Sequence, residues 1–174
     1  MKTKILFFEL ICFLFVSVSS NLHAQTTFNR DSIILAAKEL IKETNYCALA
    51  TVDSAGQPQV RTMSPLPVND ELIIWFGTTR YSRKVKEIMN NPKVSVYFAN
   101  HESATGYVNI TGKAVVVDDK VLLQKMKRNY WKSIPNWESI FVLIKIVPET
   151  IEIINYKHRL NNDPKTFKAP SIVF

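Results

Sequence analysis

The spacing of apolar residues changes from helical to strand-like along the chain. Apolar residues between 33 and 41 recur on one helix face, which predicts an amphipathic helix from a cap at Asp31 or Ser32 to about Thr44. Beyond Thr44, short runs of β-branched and aromatic residues alternate with turn residues, as in strands. The predicted strand segments are 46–52, 59–63, 71–78, 94–99 and 107–117, and the stretch 141–156, interrupted by Pro148, provides the last strands.

Most of these strands follow one another with few helices between them. Two further helices are predicted, at 82–90 and 120–130, and Gly112 marks a bulge or bend within a long strand. Successive strands with short connectors favour an antiparallel sheet over a doubly wound parallel one. We therefore predict a mainly β protein with helices, built as a six-stranded antiparallel split β-barrel.

The first residues have the pattern of an export signal. Lys2 and Lys4 precede an apolar run at 5–18, and Ala24 provides a small residue at the expected cleavage point. A membrane anchor is the competing interpretation, but the run is shorter than the roughly 20 residues of a spanning helix and Glu9 interrupts it. We predict a secretory signal peptide at 1–24, one domain at 25–160 and a C-terminal tail at 161–174, in a secreted or periplasmic protein with no stable membrane insertion after processing.

Composition narrows the classes of function. The 174 residues, 47% of them hydrophobic, suit one compact domain. The formal net charge of +7 falls to +6 once Lys2, Lys4 and Glu9 are removed. The basic residues form no run, so we predict no nucleic-acid partner. Cys47 is then the only cysteine and the histidines are isolated, which predicts no disulfide and no metal site.

A Ser-Arg-Lys triplet marks the start of the second predicted helix. Backbone N–H groups and the helix dipole favour an anion at such a start, and Arg83 and Lys84 add positive charge beside Ser82. Arg61, on a neighbouring strand, offers a guanidinium with bidentate geometry. The same triplet is typical of a capped, solvated helix, so by itself it leaves both interpretations open.

The order of several motifs resembles the pyridoxamine 5′-phosphate oxidase-like FMN-binding superfamily, and within it the short bacterial general stress proteins. The resemblance covers residues 30 to 156 and rests on several motifs in order rather than on one. The motifs are Ala48-Leu-Ala-Thr-Val, Gly56-Gln-Pro-Gln-Val-Arg-Thr-Met-Ser, the strand at 72–78, Ser82-Arg-Lys, Asn91-Pro-Lys-Val-Ser-Val and Gly112-Lys-Ala.

This resemblance implies FMN as the cofactor and a homodimer that builds its flavin sites across the subunit interface. The implied cofactor residues are Arg61, Thr62, Met63 and Ser64 along the flavin ring and ribityl chain, Gly77 and Thr78 at the adjacent strand end, Ser82, Arg83 and Lys84 at the phosphate, and Tyr107, where the oxidases place a glutamine from the other subunit.

The chain also differs from the oxidases of this family at its C-terminal end. The oxidases carry a substrate-binding C-terminal segment, whereas here His158-Arg159 is followed by an unrelated tail, so vitamin B6 oxidation is not predicted. That tail is expected to dock on a partner or to fray. Three aromatic residues either cover one face of the flavin ring or pack in the core, namely Tyr130, Trp131 and Trp137.

Two functions remain open. The first is an FMN-dependent oxidoreductase of unknown substrate, in which the flavin carries the hydride chemistry and no side-chain nucleophile is needed. The second is a protein that binds or senses a flavin, haem or related cofactor without turnover.

Overall fold

The computed structural model describes residues 28–174, so the predicted signal peptide lies outside the described residues. Helix α1 spans Arg30–Glu43. Asn29, not Asp31 or Ser32, is its N-cap: the Asn29 side chain accepts a hydrogen bond from the Asp31 amide at 3.0 Å. The apolar face lies on the sheet and buries Ile33, Ala36, Ala37, Leu40 and Ile41. The predicted amphipathic helix is thus confirmed, but its observed cap lies two residues before Asp31 and three before Ser32.

Within residues 28–174, six strands form the main path of one antiparallel sheet, to which a short seventh strand is added near the C-terminus, and this architecture confirms the predicted fold class. The six strands lie in the order β2-β1-β4-β5-β6-β3, so β2 and β3 are the two edges. The strands are β1 (Cys47–Val52), β2 (Pro58–Met63), β3 (Ile74–Thr79), β4 (Lys93–Ala99), β5 (Gly106–Val117) and β6 (Phe141–Asn155). Among the described residues, three shorter α-helices accompany the sheet, namely α2 (Arg83–Asn90), α3 (Lys120–Met126) and α4 (Trp137–Ile140).

The sheet curls until its two edges approach each other without pairing as strands. A backbone hydrogen bond of 2.8 Å from the Leu66 amide to the Trp75 carbonyl joins the segment after β2 to β3. Beyond that bond the edges stay apart, and α2, which packs on β1 and β5, lies beside the opening. We call this opening, between β2 and the end of β3, the seam.

A bulge bends the two longest strands. The register of β5 against β6 shifts between Thr111 and Gly112, and Gly112 pairs with Pro148. A Cβ atom on Gly112 would lie 2.1 Å from the Val147 carbonyl oxygen, so only glycine permits this approach. The bulge predicted at Gly112 is confirmed.

Two hydrophobic clusters form the core. The main one fills the barrel and includes the inward residues of every strand from β1 to β6 other than β2. The second lies on the outer side of β3 and β6 and consists of Leu66, Leu123, Trp131, Phe141 and Leu143. Trp131 therefore packs in a core, on a 3-10 helix at Asn129–Ser133, and the predicted continuous helix 120–130 is wrong beyond Met126.

The C-terminal tail folds back onto its own sheet. Ser171–Val173 forms a short strand, β7, antiparallel to β6, and Ile172 is buried. The expectation that the tail frays or docks on a partner is wrong for this segment, because Ile172 completes the barrel core. Within residues 28–174, no helix has the length and hydropathy needed to cross a membrane.

Candidate functional site

Polar and charged side chains gather in the seam from four elements. Arg61 comes from β2, Thr51 from the end of β1, Thr78 from the end of β3, and Ser82 to Glu87 from the start of α2. Thr51, Thr78 and Glu87 are buried, although each carries a polar group. Buried polar groups require partners, so the geometry of this cluster is fixed by the bonds its members make with each other.

Arg61 is held firmly on one side of its guanidinium. Its Nη1 donates to the Leu49 carbonyl oxygen at 3.2 Å and to Thr51 Oγ1 at 2.5 Å, and its Nη2 donates to Glu87 Oε2 at 2.7 Å. A guanidinium has five N–H donors. Nε and one Nη2 hydrogen therefore make no hydrogen bond within residues 28–174, which leaves Arg61 with donors for a further oxygen.

Glu87 lies behind the cationic residues, one helical turn after Arg83. Its Oε2 accepts hydrogen bonds from Arg61 and from the Thr51 hydroxyl, the latter at 2.5 Å. Arg83 Nε lies 3.0 Å from Oε1, close enough for an ion pair, yet the contact lacks hydrogen-bond alignment, and Oε1 accepts no hydrogen bond from any described residue. Arg83 is thus attracted by Glu87 but not fixed by it.

Lys84 reaches across the seam to β3. Its Nζ donates to Thr78 Oγ1 at 2.9 Å, and the Thr78 and Ser82 hydroxyls are 3.4 Å apart. Burial lowers the pKa of Lys84, the positive charges of Arg61 and Arg83 lower it further, and Glu87 opposes the shift. An anion bound among these cations would favour the charged ammonium.

The cluster is suited to hold a phosphate. Ser82 is the N-cap of α2 but its side chain makes no capping hydrogen bond. The Val85 and Lys86 amides donate to the Ser82 carbonyl oxygen, which leaves the amides of the first two helical residues for a ligand. Those amides, the Ser82 hydroxyl and the cations of Arg83 and Lys84 therefore converge at one helix start. The structure brings together four residues that the sequence singled out for the phosphate, namely Arg61, Ser82, Arg83 and Lys84, and adds Thr78.

The remaining candidate residues at the end of β2 and directly after it alternate in direction. Met63 packs against the barrel core and its carbonyl oxygen accepts a weak hydrogen bond from Cys47 Sγ at 3.6 Å. Thr62 points to the outer face, where it lines a cavity of about 450 Å³ with Tyr97 and His101. Ser64 lines a different cavity, of about 780 Å³, and Arg128 Nη2 donates to its carbonyl oxygen at 2.7 Å.

Gly77 lies on the opposite side of β3 from Thr78. The space at its Cα is filled by the indole of Trp131, whose Cζ2 is 2.1 Å from the position of a Cβ atom. Trp131 is stacked on Phe141, with ring centroids 4.5 Å apart. The face of β3 at Gly77 is thus covered by Trp131 of the same chain.

Tyr107 lies away from the seam, on the outer face of β5. Its hydroxyl donates to Glu152 at 2.6 Å and its ring stacks on Tyr97 with centroids 5.3 Å apart. Burial, together with the hydrogen bond to Glu152, raises the pKa of Tyr107. Within the described chain Tyr107 makes no hydrogen bond to any seam residue.

Sequence reasoning missed Thr51 and Glu87. The i, i+4 spacing of Arg83 and Glu87 is a visible signal of an ion pair on one helix face. Nothing local indicates that Thr51 meets both Glu87 and Arg61, because those contacts arise only when β1, β2 and α2 come together. Of the aromatic candidates, Tyr130 is exposed and Trp137 packs beside Trp131 in the second cluster.

A split barrel with a cationic seam is a fold and site typical of cofactor-binding proteins, and comparison with known proteins identifies the family. Residues 34–155 match the family model described as Pyridoxamine 5'-phosphate oxidase. The chain belongs to this family. General stress protein 26 of Bacillus subtilis (strain 168) is 30% identical over 135 residues, which cover 73% of this chain and 91% of that protein.

Solved structures agree with this assignment. General Stress Protein 26 from Bacillus anthracis str. Sterne has a TM-score of 0.60 and 27% identity, covering 70% of this chain and 93% of that one. Two others share the fold at lower identity. A pyridoxamine 5'-phosphate oxidase-related, FMN binding protein from Nostoc punctiforme PCC 73102 has a TM-score of 0.55 at 17% identity, covering 83% and 95% of the two chains. A heme binding protein from Mycobacterium smegmatis has a TM-score of 0.62 at 14% identity, covering 84% and 60%.

Proposed function

We propose that this protein binds FMN in the seam and acts as a flavin-dependent oxidoreductase whose substrate is a separate small molecule. The observation that carries the proposal is the convergence of Arg61, Arg83 and Lys84 on the N-terminus of α2. A phosphate monoester carries about −1.5 to −2 charges at neutral pH and offers strong acceptor oxygens. The donors left over in the seam fit such a group.

The phosphate would be held by the start of α2 and by the remaining donors of Arg61. Ser82, Arg83 and Lys84 supply the hydroxyl and two cations, and Thr78 keeps Lys84 directed across the seam. The rest of the cofactor would run along the backbone of Thr62, Met63 and Ser64, whose side chains point in alternating directions. When bound, the flavin supplies the hydride chemistry, so the protein needs only to bind and orient it.

A homodimer is part of this proposal. Tyr107 makes no hydrogen bond to the seam residues of its own chain, and it lies with Tyr97 on an outer sheet face. If flavin sites are completed by the partner, this face is where a second copy supplies Tyr107. Light scattering should give twice the monomer mass, and a monomer that binds FMN tightly would contradict the shared site.

Export completes the proposal. The basic start, apolar run and Ala24 support removal of residues 1–24 and a secreted or periplasmic location. Mass spectrometry of the mature N-terminus in a fractionated host tests this. A chain that starts at Met1 in the cytoplasm would refute both cleavage and export.

Non-catalytic binding of a flavin, haem or related cofactor is the alternative. FMN is favoured because the seam provides cations at a helix start, which suits a phosphate. The absorption spectrum of the purified protein separates oxidised flavin from haem. Reduction assays of the purified protein with nicotinamide donors and dye acceptors separate turnover from binding alone.

The phosphate site is tested by comparing two ligands that differ only in the phosphate. Arg83→Ala combined with Lys84→Ala should weaken FMN far more than riboflavin, since each lost charged hydrogen bond costs about 1.5–3 kcal/mol. The matched control is Lys86→Ala combined with Lys93→Ala, which removes the same charge from two exposed positions on α2 and β4. Circular dichroism checks the fold. Equal losses for both ligands, or none, would place the phosphate elsewhere.

A further inference from the structure

We infer that Glu87 is an internal counter-ion of the phosphate site, which offsets the charge of Arg61, competes with the cofactor phosphate for Arg83 and so limits the affinity for FMN. This inference rests on the proposed function and concerns a residue that lies behind the cations rather than among them. Glu87 acts through the two arginines, so it tunes the site instead of contacting the ligand.

The burial of Glu87 shows that its charge is directed at the seam. The residue is 4% exposed and follows Arg83 by one helical turn, on the side of α2 that faces β1 and β2. Its partners are Thr51 and Arg61 at Oε2 and Arg83 near Oε1. A buried carboxylate interacts with nearby charges through a poorly screened medium, so its effect on an anion in the same seam is larger than that of a surface residue.

The charge balance of the seam depends on this residue. Arg61, Arg83 and Lys84 carry three positive charges, and Glu87 leaves a net charge of +2. A phosphate monoester dianion neutralises that remainder. Among described residues, Glu87 is the only carboxylate within ion-pair distance of Arg61 and Arg83, while Asp53 interacts with Arg83 over a longer distance.

Arg83 is the residue over which the two anions compete. Its side chain is 68% exposed, and its Nε lies 3.0 Å from Glu87 Oε1 without a hydrogen bond between them. An exposed guanidinium with one ion-pair contact can turn toward a ligand at the start of the same helix. Arg61 differs, because the Leu49 carbonyl oxygen and the Thr51 hydroxyl hold it in addition to Glu87.

Glu87→Gln separates charge from position. The amide oxygen of glutamine can still accept from Arg61 and Thr51, so Arg61 stays in place while the negative charge is lost. The amide nitrogen then takes the place of Oε1 and repels the Arg83 guanidinium. Arg83 is therefore free to bind the phosphate of the ligand. The affinity for FMN should rise about tenfold, the size expected when one like charge near a phosphate is removed from a partly buried site.

The experiment measures FMN and riboflavin dissociation constants for the parent, Glu87→Gln and the control Glu149→Gln. Glu149 forms an exposed ion pair with Lys113 at 3.0 Å, so its substitution changes the net charge equally, away from the seam. We expect tighter FMN binding for Glu87→Gln alone and unchanged riboflavin binding for all three proteins. If Glu87→Gln does not fold by circular dichroism, Glu87→Met removes the charge at similar volume and takes its place.

The outcomes separate this inference from the proposed function. If the parent prefers FMN to riboflavin but Glu87→Gln binds FMN equally or more weakly, the counter-ion role is wrong and the phosphate site stands. Tighter binding of both ligands would also overturn the inference, because the effect would not depend on the phosphate. If the parent binds FMN no better than riboflavin, the phosphate site itself fails and the inference fails with it.

Discussion

The indole ring of Trp131 occupies the space where a side chain on Gly77 would begin, 2.1 Å from the position of a Cβ atom. Trp131 is fully buried against Phe141, so the ring has no room to withdraw. Gly77→Ala should therefore destabilise the ligand-free protein by about 1–3 kcal/mol, as overpacking of a core does. Urea unfolding followed by circular dichroism measures this loss.

A double-variant cycle tests the cause of that loss. When Trp131→Leu is combined with Gly77→Ala, the smaller side chain should make room for the new methyl group, and the combined loss should be less than the sum of the two single losses. Additive losses of stability would show that the new methyl group at position 77 does not clash with the Trp131 ring. An unchanged stability for Gly77→Ala alone would show that the Trp131 ring moves aside without cost, and would contradict the tight packing of the two residues.

The C-terminal strand should contribute to the stability of the barrel. Ile172 is 9% exposed and packs on the main core, whereas its neighbour Val173 is 71% exposed. Ile172→Ala should lower the free energy of unfolding by about 2 kcal/mol. This is the lower end of the range for a buried isoleucine, because β7 lies at the edge of the sheet. Val173→Ala is the matched control and should change stability by no more than about 0.5 kcal/mol. Equal effects at both positions would contradict the docking of β7.

Lys84 should make stability and FMN binding depend on alkaline pH. Burial, together with Arg61 and Arg83, lowers its pKa in the folded protein below the ordinary 10.5. Between these two pKa values the unfolded chain binds more protons than the folded one, so the contribution of Lys84 to the free energy of unfolding rises with pH across that window. FMN affinity should fall over the same pH range, because the phosphate binds the charged ammonium.

The pH effect of Lys84 is isolated by comparison with Lys84→Met. Other lysines and tyrosines titrate at alkaline pH in both proteins, so only the difference between the two pH profiles reports Lys84. That difference should increase with pH for ligand-free stability and decrease with pH for FMN affinity. Parallel profiles for the two proteins would show that Lys84 does not titrate in this window.

Cys47 should be unreactive in the folded protein. It is buried on β1, and burial raises the pKa of its thiol to about 12. At pH 8 almost no thiolate is present, and the thiol is shielded from solvent in the folded state. In a chain that starts at residue 25, a thiol-reactive dye should label Cys47 only as fast as the protein opens, and rapidly in urea. Fast labelling without denaturant would contradict this packing.

The strands were predictable because their patterns are local. In β1 the residues Cys47, Leu49 and Thr51 alternate with more exposed ones, and the turn residues that follow indicate a hairpin with β2. The bulge at Gly112 was also visible, since an isolated glycine within a strand commonly marks a bulge or a close backbone approach. The candidate phosphate residues were visible in the Ser-Arg-Lys helix start and in the family motifs, and they converge at the seam.

The missed features depend on long-range contacts. The tail at 161–174 looks polar and irregular, and only the unpaired edge of β6 accounts for the strand at Ser171–Val173. Glu87 has the sequence context of a solvated helix residue, but the approach of β1 and β2 buries it. The fate of Trp131 was open in the sequence, because a gap of the right shape appears only where Gly77 faces the second cluster.

The C-terminal residues lie beside the start of helix α1. Arg30, in the first turn of α1, donates a hydrogen bond of 2.7 Å to the Val173 carbonyl oxygen, and its guanidinium lies 4.9 Å from the centre of the Phe174 ring. A short linker from Phe174 to Phe28 would therefore make a circular backbone, which can be reopened in the exposed loop between Glu102 and Ser103. Such a permuted protein would keep every strand pairing, and its new termini would lie at the β4–β5 loop. The same sheet would then form from strands that are synthesised in a different order.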